Sequence, residues 1–229
     1  MQKPNQPIAL TVPRIRLRHW GTIALIVVGS NMATHFLMNP ATASIHSITH
    51  VEARASKRLY LDEKAGQVIF DMDGFREKVR ETARKLGIPS AWLMAVIDQE
   101  SQFQSSVANF KGSGAVGLIQ FMPGTAAELG TSSQHLQMMD APSQMEYVYK
   151  YLAQVRNRYG DYESLTDLYL GILYPKARKQ DPCYTLFSSP STSYRQNSGL
   201  DHDRDRRVTI SDIDRRLRDR YPEAYITQQ

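Results

Sequence analysis

Glu100 is the residue of this 229-residue chain whose surroundings could do acid chemistry. Trp92, Val96 and Ile97 stand eight, four and three positions before it. On a helix, that spacing puts its carboxyl in the apolar stripe those side chains form. Desolvation there favours the neutral acid, and the C-terminal end of a helix, where Glu100 is expected, adds the partial negative charge of the dipole. Both effects keep a proton on the carboxyl near neutral pH, where an ordinary Glu has lost it. The chemistry open to such a group is general acid catalysis, of the kind that protonates a leaving oxygen in glycoside cleavage. By position alone, the favoured reading of Glu100 is a helix-end residue turned to solvent, as most Glu residues are.

Two-carboxylate cleavage would need a second acid. Asp98 is two residues away, on roughly the opposite face of a helix, while Glu128 and Asp140 lie on later elements and stay open. A separate acidic group, Asp201-x-Asp203-x-Asp205 with Val208 and Asp212 beyond it, has the spacing of an EF-hand calcium loop, with oxygens at positions one, three, five and twelve. Arg206 stands where the sharp turn calls for Gly, and is expected to resist the conformation that turn requires. Arg204, Arg206 and Arg207 surround the position with positive charge, and Asp212 is shorter than the usual Glu. The favoured expectation is a degenerate turn of paired aspartates and arginines, followed by a helix capped at Ser211, with no metal. His46 and His50, four apart without a third ligand, make a poor metal site. The single Cys183 has no disulfide partner in the chain and no His nearby in sequence, and reads as a small buried hydrophobe.

The elements that must position Glu100 are helical. Phe75, Val79 and Ala83 repeat at four-residue spacing up to a stop at Gly87. A second helix is expected from Ser90, as N-cap, through Glu100. Gly112, Gly114, Gly117 and Gly124 then break the pattern into a loop-rich segment. A short helix (TAAEL) closes on Gly130. A long one, capped at Ser143, carries Met145, Val148, Tyr149, Leu152, Val155 and Tyr159 and ends at Gly160, and a last core helix carries Leu165, Leu168, Tyr169 and Ile172. No repeat and no alternating strand pattern is visible. The fold class is mainly α, with a small hairpin or irregular ribbon in the glycine-rich segment. After Pro182 the composition (SSPSTSYRQNSG) marks a linker or irregular arm, followed by a short charged helix, ISDIDRRLRDRYP.

The net charge of +5 is misleading, because Lys3, Arg14, Arg16 and Arg18 all precede residue 44, in a stretch without acids. The remainder is nearly neutral, which gives no reason to expect nucleic-acid binding. That stretch reads as an export signal: a cationic start, an apolar run from Trp20 to Val28, and Ala41-Thr42-Ala43 for cleavage. The competing reading is an uncleaved membrane anchor, against which Ser30, Asn31, Thr34 and His35 interrupt the run well short of the ~20 residues a spanning helix needs. The expected organisation is a signal peptide over 1–43, a lead-in over 44–74, a catalytic domain over 75–180 and a C-terminal arm over 181–229. Its expected place is the periplasm or cell envelope.

Glu100-Ser101, Phe103, Gly114-Ala115-x-Gly117-Leu118-Ile119-Gln120-x-Met122-Pro123, Thr125-Ala126, Gly130, Tyr151-Leu152, Tyr159-Gly160 and Tyr169 occur in an order that resembles the family 1 lytic transglycosylases, over about residues 76–178. The resemblance implies a lysozyme-like helical domain. It implies Glu100 as acid/base, with Ser101, Gly117, Leu118, Gln120 and Tyr169 as substrate-site residues; Ile119 replaces the usual Met of a Gly-Leu-Met-Gln motif. The family's Ala-Tyr-Asn signature is altered, since Asp167-Leu168-Tyr169-Leu170-Gly171 keeps Tyr but has Leu for Asn, and Tyr174 is a rival to Tyr169. A backbone without Cβ atoms at Gly114 and Gly117 could approach a sugar closely, whereas Gly112 reads as a turn. The reaction implied is cleavage of peptidoglycan glycan strands to a 1,6-anhydro sugar, by one carboxylate and with no cofactor. A wall-spanning secretion or phage apparatus is a further partner in prospect, the latter because Tyr194-Arg-Gln-Asn197 resembles tails of phage-particle transglycosylases. The alternatives are a goose-type lysozyme-like hydrolase and an inert peptidoglycan-binding protein of the same fold.

Overall fold

The structure is a computed structural model that describes residues 58–109 and 112–226. The expected leader, His46 and His50 lie outside the described residues. A short helix α1 (Asp62–Gly66) leads into α2 (Met72–Leu86). The side chain of Asp71 accepts the Gly74 N–H and starts α2 three residues ahead of Phe75; Gly87, at φ 71°, stops it where expected.

Helix α3 (Ser90–Ser101) departs from expectation in two ways. Its N-cap is Pro89, with no side-chain cap, so Ser90 is the first helical residue and not the cap. Every residue from Ala91 to Asp98 is buried, so the apolar stripe inferred around Glu100 is an entire cylinder. A helix apolar on all sides has to be covered on all sides. Helices α4 (Pro123–Glu128), α5 (Ser133–Met138), α6 (Ala141–Tyr159) and α7 (Leu165–Leu173) follow it in the chain. α2 packs against both α3 and α6, and α7 packs on α3. The cap of α6 is Asp140, whose carboxylate accepts the Ser143 N–H at 2.9 Å, and not Ser143 itself. α5 was not foreseen, because six residues burying only Leu136 show no periodicity.

Between α3 and α4 no regular element forms among the described residues. Bridges pairing Ala108 with Val116 and Val116 with Phe121 make the expected irregular ribbon.

The linker expected after Pro182 is corrected by the structure. Strand β1 (Thr185–Ser188) and helix α8 (Thr192–Asn197) occupy it, and β1 pairs antiparallel with β2 (Arg207–Thr209), Phe187 opposite Val208. Strands of four and three residues are too short to show alternation in sequence. Helix α9 (Ile210–Arg220) is capped by Thr209 in a reciprocal capping box with Asp212, so Ser211 is not the cap. The final described helix, α10 (Pro222–Ile226), and α9 pack on α3 and α7 respectively. Trp92 Nε1 donates to the carbonyl of Ala224 at 3.1 Å, and the Tyr221 hydroxyl donates to Asp98 Oδ2 at 2.8 Å. Lys64 adds an ion pair to Asp98 at 2.6 Å, so α3 is held by residues from both flanks of the helical body. Cys183 is exposed, contrary to the buried role expected of it.

Candidate active site

Glu100 sits in the last turn of α3, just before the chain reverses through Gln102 and Phe103, both at positive φ (52° and 66°). Phe103 is fully buried and packs edge-on against Phe75 at 6.3 Å, which fixes that reversal. The Glu100 side chain is part-buried: it reaches the surface, yet protein surrounds its carboxyl closely. Burial raises its pKa from 4.5 to about 7, against a hydrogen bond from Tyr169 that favours the carboxylate. The acid is therefore poised between its two protonation states near neutral pH.

Tyr169, in the middle of α7, is buried, and its own ionisation is pushed well up by burial, then by the Glu100 charge and hydrogen bond. It stays a phenol and so remains a donor to Glu100. Gln99 hydrogen-bonds the same Tyr169, and the Arg216 guanidinium, from α9, is close enough to act on it electrostatically. Arg216 itself donates from Nη1 to the Gly199 carbonyl at 2.9 Å. The rival Tyr174 caps α7 and packs edge-on against Phe187 of β1 at 5.9 Å. Leu170, where the resembled family has Asn, is buried and offers no polar group.

Tyr151, from α6, completes the group. Its hydroxyl donates to the Gly171 carbonyl at 3.0 Å, and its pKa is pushed up to about 12, by burial first and then by Tyr159, Glu100 and Glu128. Its ring meets Phe121 edge-on at 6.3 Å, which brings the end of the glycine-rich ribbon to the same place.

The remaining site residues inferred from sequence do different work. Ser101 is buried, with its hydroxyl donated to the Ile97 carbonyl at 3.0 Å. Leu118 is wholly buried, and its N–H goes to Gln144 Oε1 at 2.9 Å. Gln120, at φ 53°, donates its amide to the Gly117 carbonyl at 3.2 Å. The Gly117 position is explained from inside the protein: a Cβ there would lie 2.5 Å from Gln144 Oε1, and φ is +78°. At Gly114 the crowding comes from the Pro123 ring, 3.1 Å from a would-be Cβ, whereas Gly112 has open space around it, as a plain turn would.

Gln144 was missed in the sequence. It is fully buried on α6, and its amide nitrogen donates to the carbonyls of Ser105 and Leu136 at 2.6 Å each while its oxygen takes the Leu118 N–H. It therefore ties the glycine-rich ribbon to two helices. The available signal was a polar amide at an inward position, one before Met145 and four before Val148. Asp167 was also passed over: it forms a two-pronged buried pair with Arg178 at 2.8 and 2.7 Å, which steadies the start of α7.

No second carboxylate among the described residues figures in the ionisation of Glu100. Asp98 is turned away and engaged by Tyr221 and Lys64, Asp140 caps α6, and Glu128 is exposed on α4.

A mainly helical, lysozyme-like domain presenting one buried acid hydrogen-bonded to a tyrosine is the class that fold and site define. Residues 77–172 match the family model of the transglycosylase SLT domain. Among solved structures, an inactive variant of lytic transglycosylase Slt from Pseudomonas aeruginosa is similar at 23% identity and a TM-score of 0.36. The match covers 63% of this chain and 24% of that one, so the similar region is about a quarter of the other protein's length.

Proposed function

We propose that this protein is a peptidoglycan lytic transglycosylase, with Glu100 as its single acid/base. The observation that carries the reading is one carboxyl at the end of α3, closely surrounded by protein and hydrogen-bonded to Tyr169, its pKa pushed up to about 7 by burial. A hydrolase working by two carboxylates needs the second within roughly 5–10 Å. A single group suffices if the substrate supplies the nucleophile. Glu100, protonated, gives its proton to the oxygen of the β-1,4 bond between MurNAc and GlcNAc as that bond breaks, assisted by the N-acetyl group of the sugar. The resulting carboxylate then takes the proton of the muramoyl O6 hydroxyl as O6 bonds to C1. Glu100 ends protonated, as it began, and the product is a 1,6-anhydro-MurNAc end.

Tyr169 orients the carboxyl and steadies its charged form between the two steps; Tyr151 and the ribbon ending at Phe121 flank the acid. We assign the protein to the periplasm or cell envelope on the strength of its leader sequence, with remodelling or local opening of the wall as its task. A wall-crossing secretion or phage apparatus is the partner such a task implies.

The test is digestion of purified sacculi, with the released muropeptides read by mass spectrometry. Anhydro ends that disappear in Glu100→Gln support the proposal. Reducing ends would make the protein a goose-type lysozyme-like hydrolase, and binding without turnover, unchanged in Glu100→Gln, an inert wall-binding protein.

A further inference from the structure

The acidic loop before α9 has no part in that chemistry. One oxygen from each of Asp201, Asp203 and Asp205 lies within 4.8 Å of the others. Asp201 is 8% exposed, and its Oδ2 accepts the Tyr194 hydroxyl at 2.8 Å and the Arg206 N–H at 3.0 Å. Its Oδ1 is buried with no hydrogen-bond partner; the N–H groups of Arg204 and Asp205 turn toward the carboxylate without reaching Oδ1 in hydrogen-bond geometry. A buried carboxylate oxygen left without a partner is costly, and the cost vanishes if a cation fills the place.

The backbone supplies what the sequence was expected to deny. Arg206, at position six, does adopt the left-handed conformation, with φ 72°, and Arg204 does so too, at 61°. Val208, at position eight, is fully buried and pairs with Phe187 in the small sheet. Thr209, at position nine, is the N-cap of α9, which sets Asp212 at position twelve in its first turn. There Asp212 Oδ1 accepts the His202 N–H at 3.3 Å, so the two ends of the loop meet.

We propose that residues 201–212 form a calcium-binding loop, with Asp201, Asp203 and Asp205 as carboxylate ligands, the Arg207 carbonyl at position seven, and Asp212 closing the site. Arg207 now holds Asp205 Oδ2 through Nε and Nη2 at 2.9 and 2.7 Å. Its side chain is 59% exposed, and an exposed pair of this kind contributes little, so a doubly charged ion displaces it. Three neighbouring arginines and an Asp in place of Glu put the affinity at the weak end for such loops, a Kd of about 0.1–1 mM. Ca²⁺, with its 6–8 adaptable oxygen contacts at 2.3–2.6 Å, fits this ring better than Mg²⁺ does, roughly because the smaller ion demands a near-ideal octahedron.

Tb³⁺ is the probe, because the Tyr194 hydroxyl lies 2.8 Å from Asp201 and its ring can sensitise a bound lanthanide. The full protein is expected to give Tyr-sensitised Tb³⁺ emission that Ca²⁺ displaces, half at about 0.1–1 mM. Asp203→Asn is the variant of choice: Asp203 is exposed and accepts only the Asp205 N–H, at 3.2 Å, so the fold survives, which circular dichroism verifies. Its emission midpoint should move at least about tenfold. Emission unchanged in Asp203→Asn, or not displaced by Ca²⁺ at about 10 mM, overturns the proposal. The readout does not involve the cleavage reaction.

Discussion

Replacing Glu100 with Gln removes the ionisation and keeps the shape, so it isolates what the buried proton costs the fold. Glu100 titrates at about 7 in the folded protein against an ordinary 4.5. At about 1.4 kcal/mol for each tenfold preference, ionising it in place costs the native state roughly 3 kcal/mol. The side chain is only part-buried, so water relaxes some of that, and about 1–3 kcal/mol is the expected range. The folded pKa is raised, so between 4.5 and about 7 the native state holds more protons than the unfolded chain. The wild type therefore loses stability relative to Glu100→Gln as pH rises through this window. Below about pH 4.5 the two should be equal, and above about pH 8 the gap should be constant. Thermal unfolding of both proteins across that range reads it directly. For a chain of this size the gap corresponds to a rise in Tm of roughly 2–10 °C for the variant at high pH. A difference that does not vary with pH, or one that grows toward acid, refutes the claim that Glu100 is buried as a neutral acid.

The same titration implies that turnover declines as pH rises above about 7, measured as muropeptide release against pH. Tyr169→Phe removes a donor to the carboxylate, a bond worth about 1.5–3 kcal/mol, and should shift that alkaline limb upward by about one pH unit or more while kcat drops. Gly117→Ala sets a methyl against Gln144 at positive φ and should cost about 2–4 kcal/mol in urea unfolding, with Gln144→Ala costing a similar amount by orphaning the Leu118 N–H. Asp98→Ala leaves the Tyr221 hydroxyl without its acceptor and should destabilise by about 2–4 kcal/mol by the same measure.

The helical body was legible because its signals are local. Apolar spacing at Phe75, Val79 and Ala83 and the glycine stops at 87 and 160 marked its helices, and all of them act within a turn or two. Caps were misread by a residue or more at Ser90, Ser143 and Ser211, since several polar residues compete near each helix start and the winner depends on the approach of the chain. The hydrogen bond between Glu100 and Tyr169 joins α3 to α7, and nothing in the spacing of 69 residues encodes it; the family resemblance singled out Tyr169, and Tyr174 packs against Phe187 instead. Gln144 and Asp167 escaped notice for a related reason. A lone polar residue on an apolar face declares that it needs partners but not where they are. The C-terminal stretch was misjudged by composition: Ser- and Thr-rich segments resemble linkers until tertiary contacts, here Val208 against Phe187, give them something to cover.

The last cover on α3 arrives late. Trp92 and Asp98 bond to residues 132 and 123 positions further along the chain. At synthesis rates of about 5–20 residues per second, this apolar helix waits roughly 6–26 s for its final neighbours. Until then it offers a sticky, unpaired surface to whatever is nearby, and a product stopped short of Tyr221 would never lose it. Such a fragment would still contain every residue grouped around Glu100, yet should be found in aggregates and protease digests, not among working molecules.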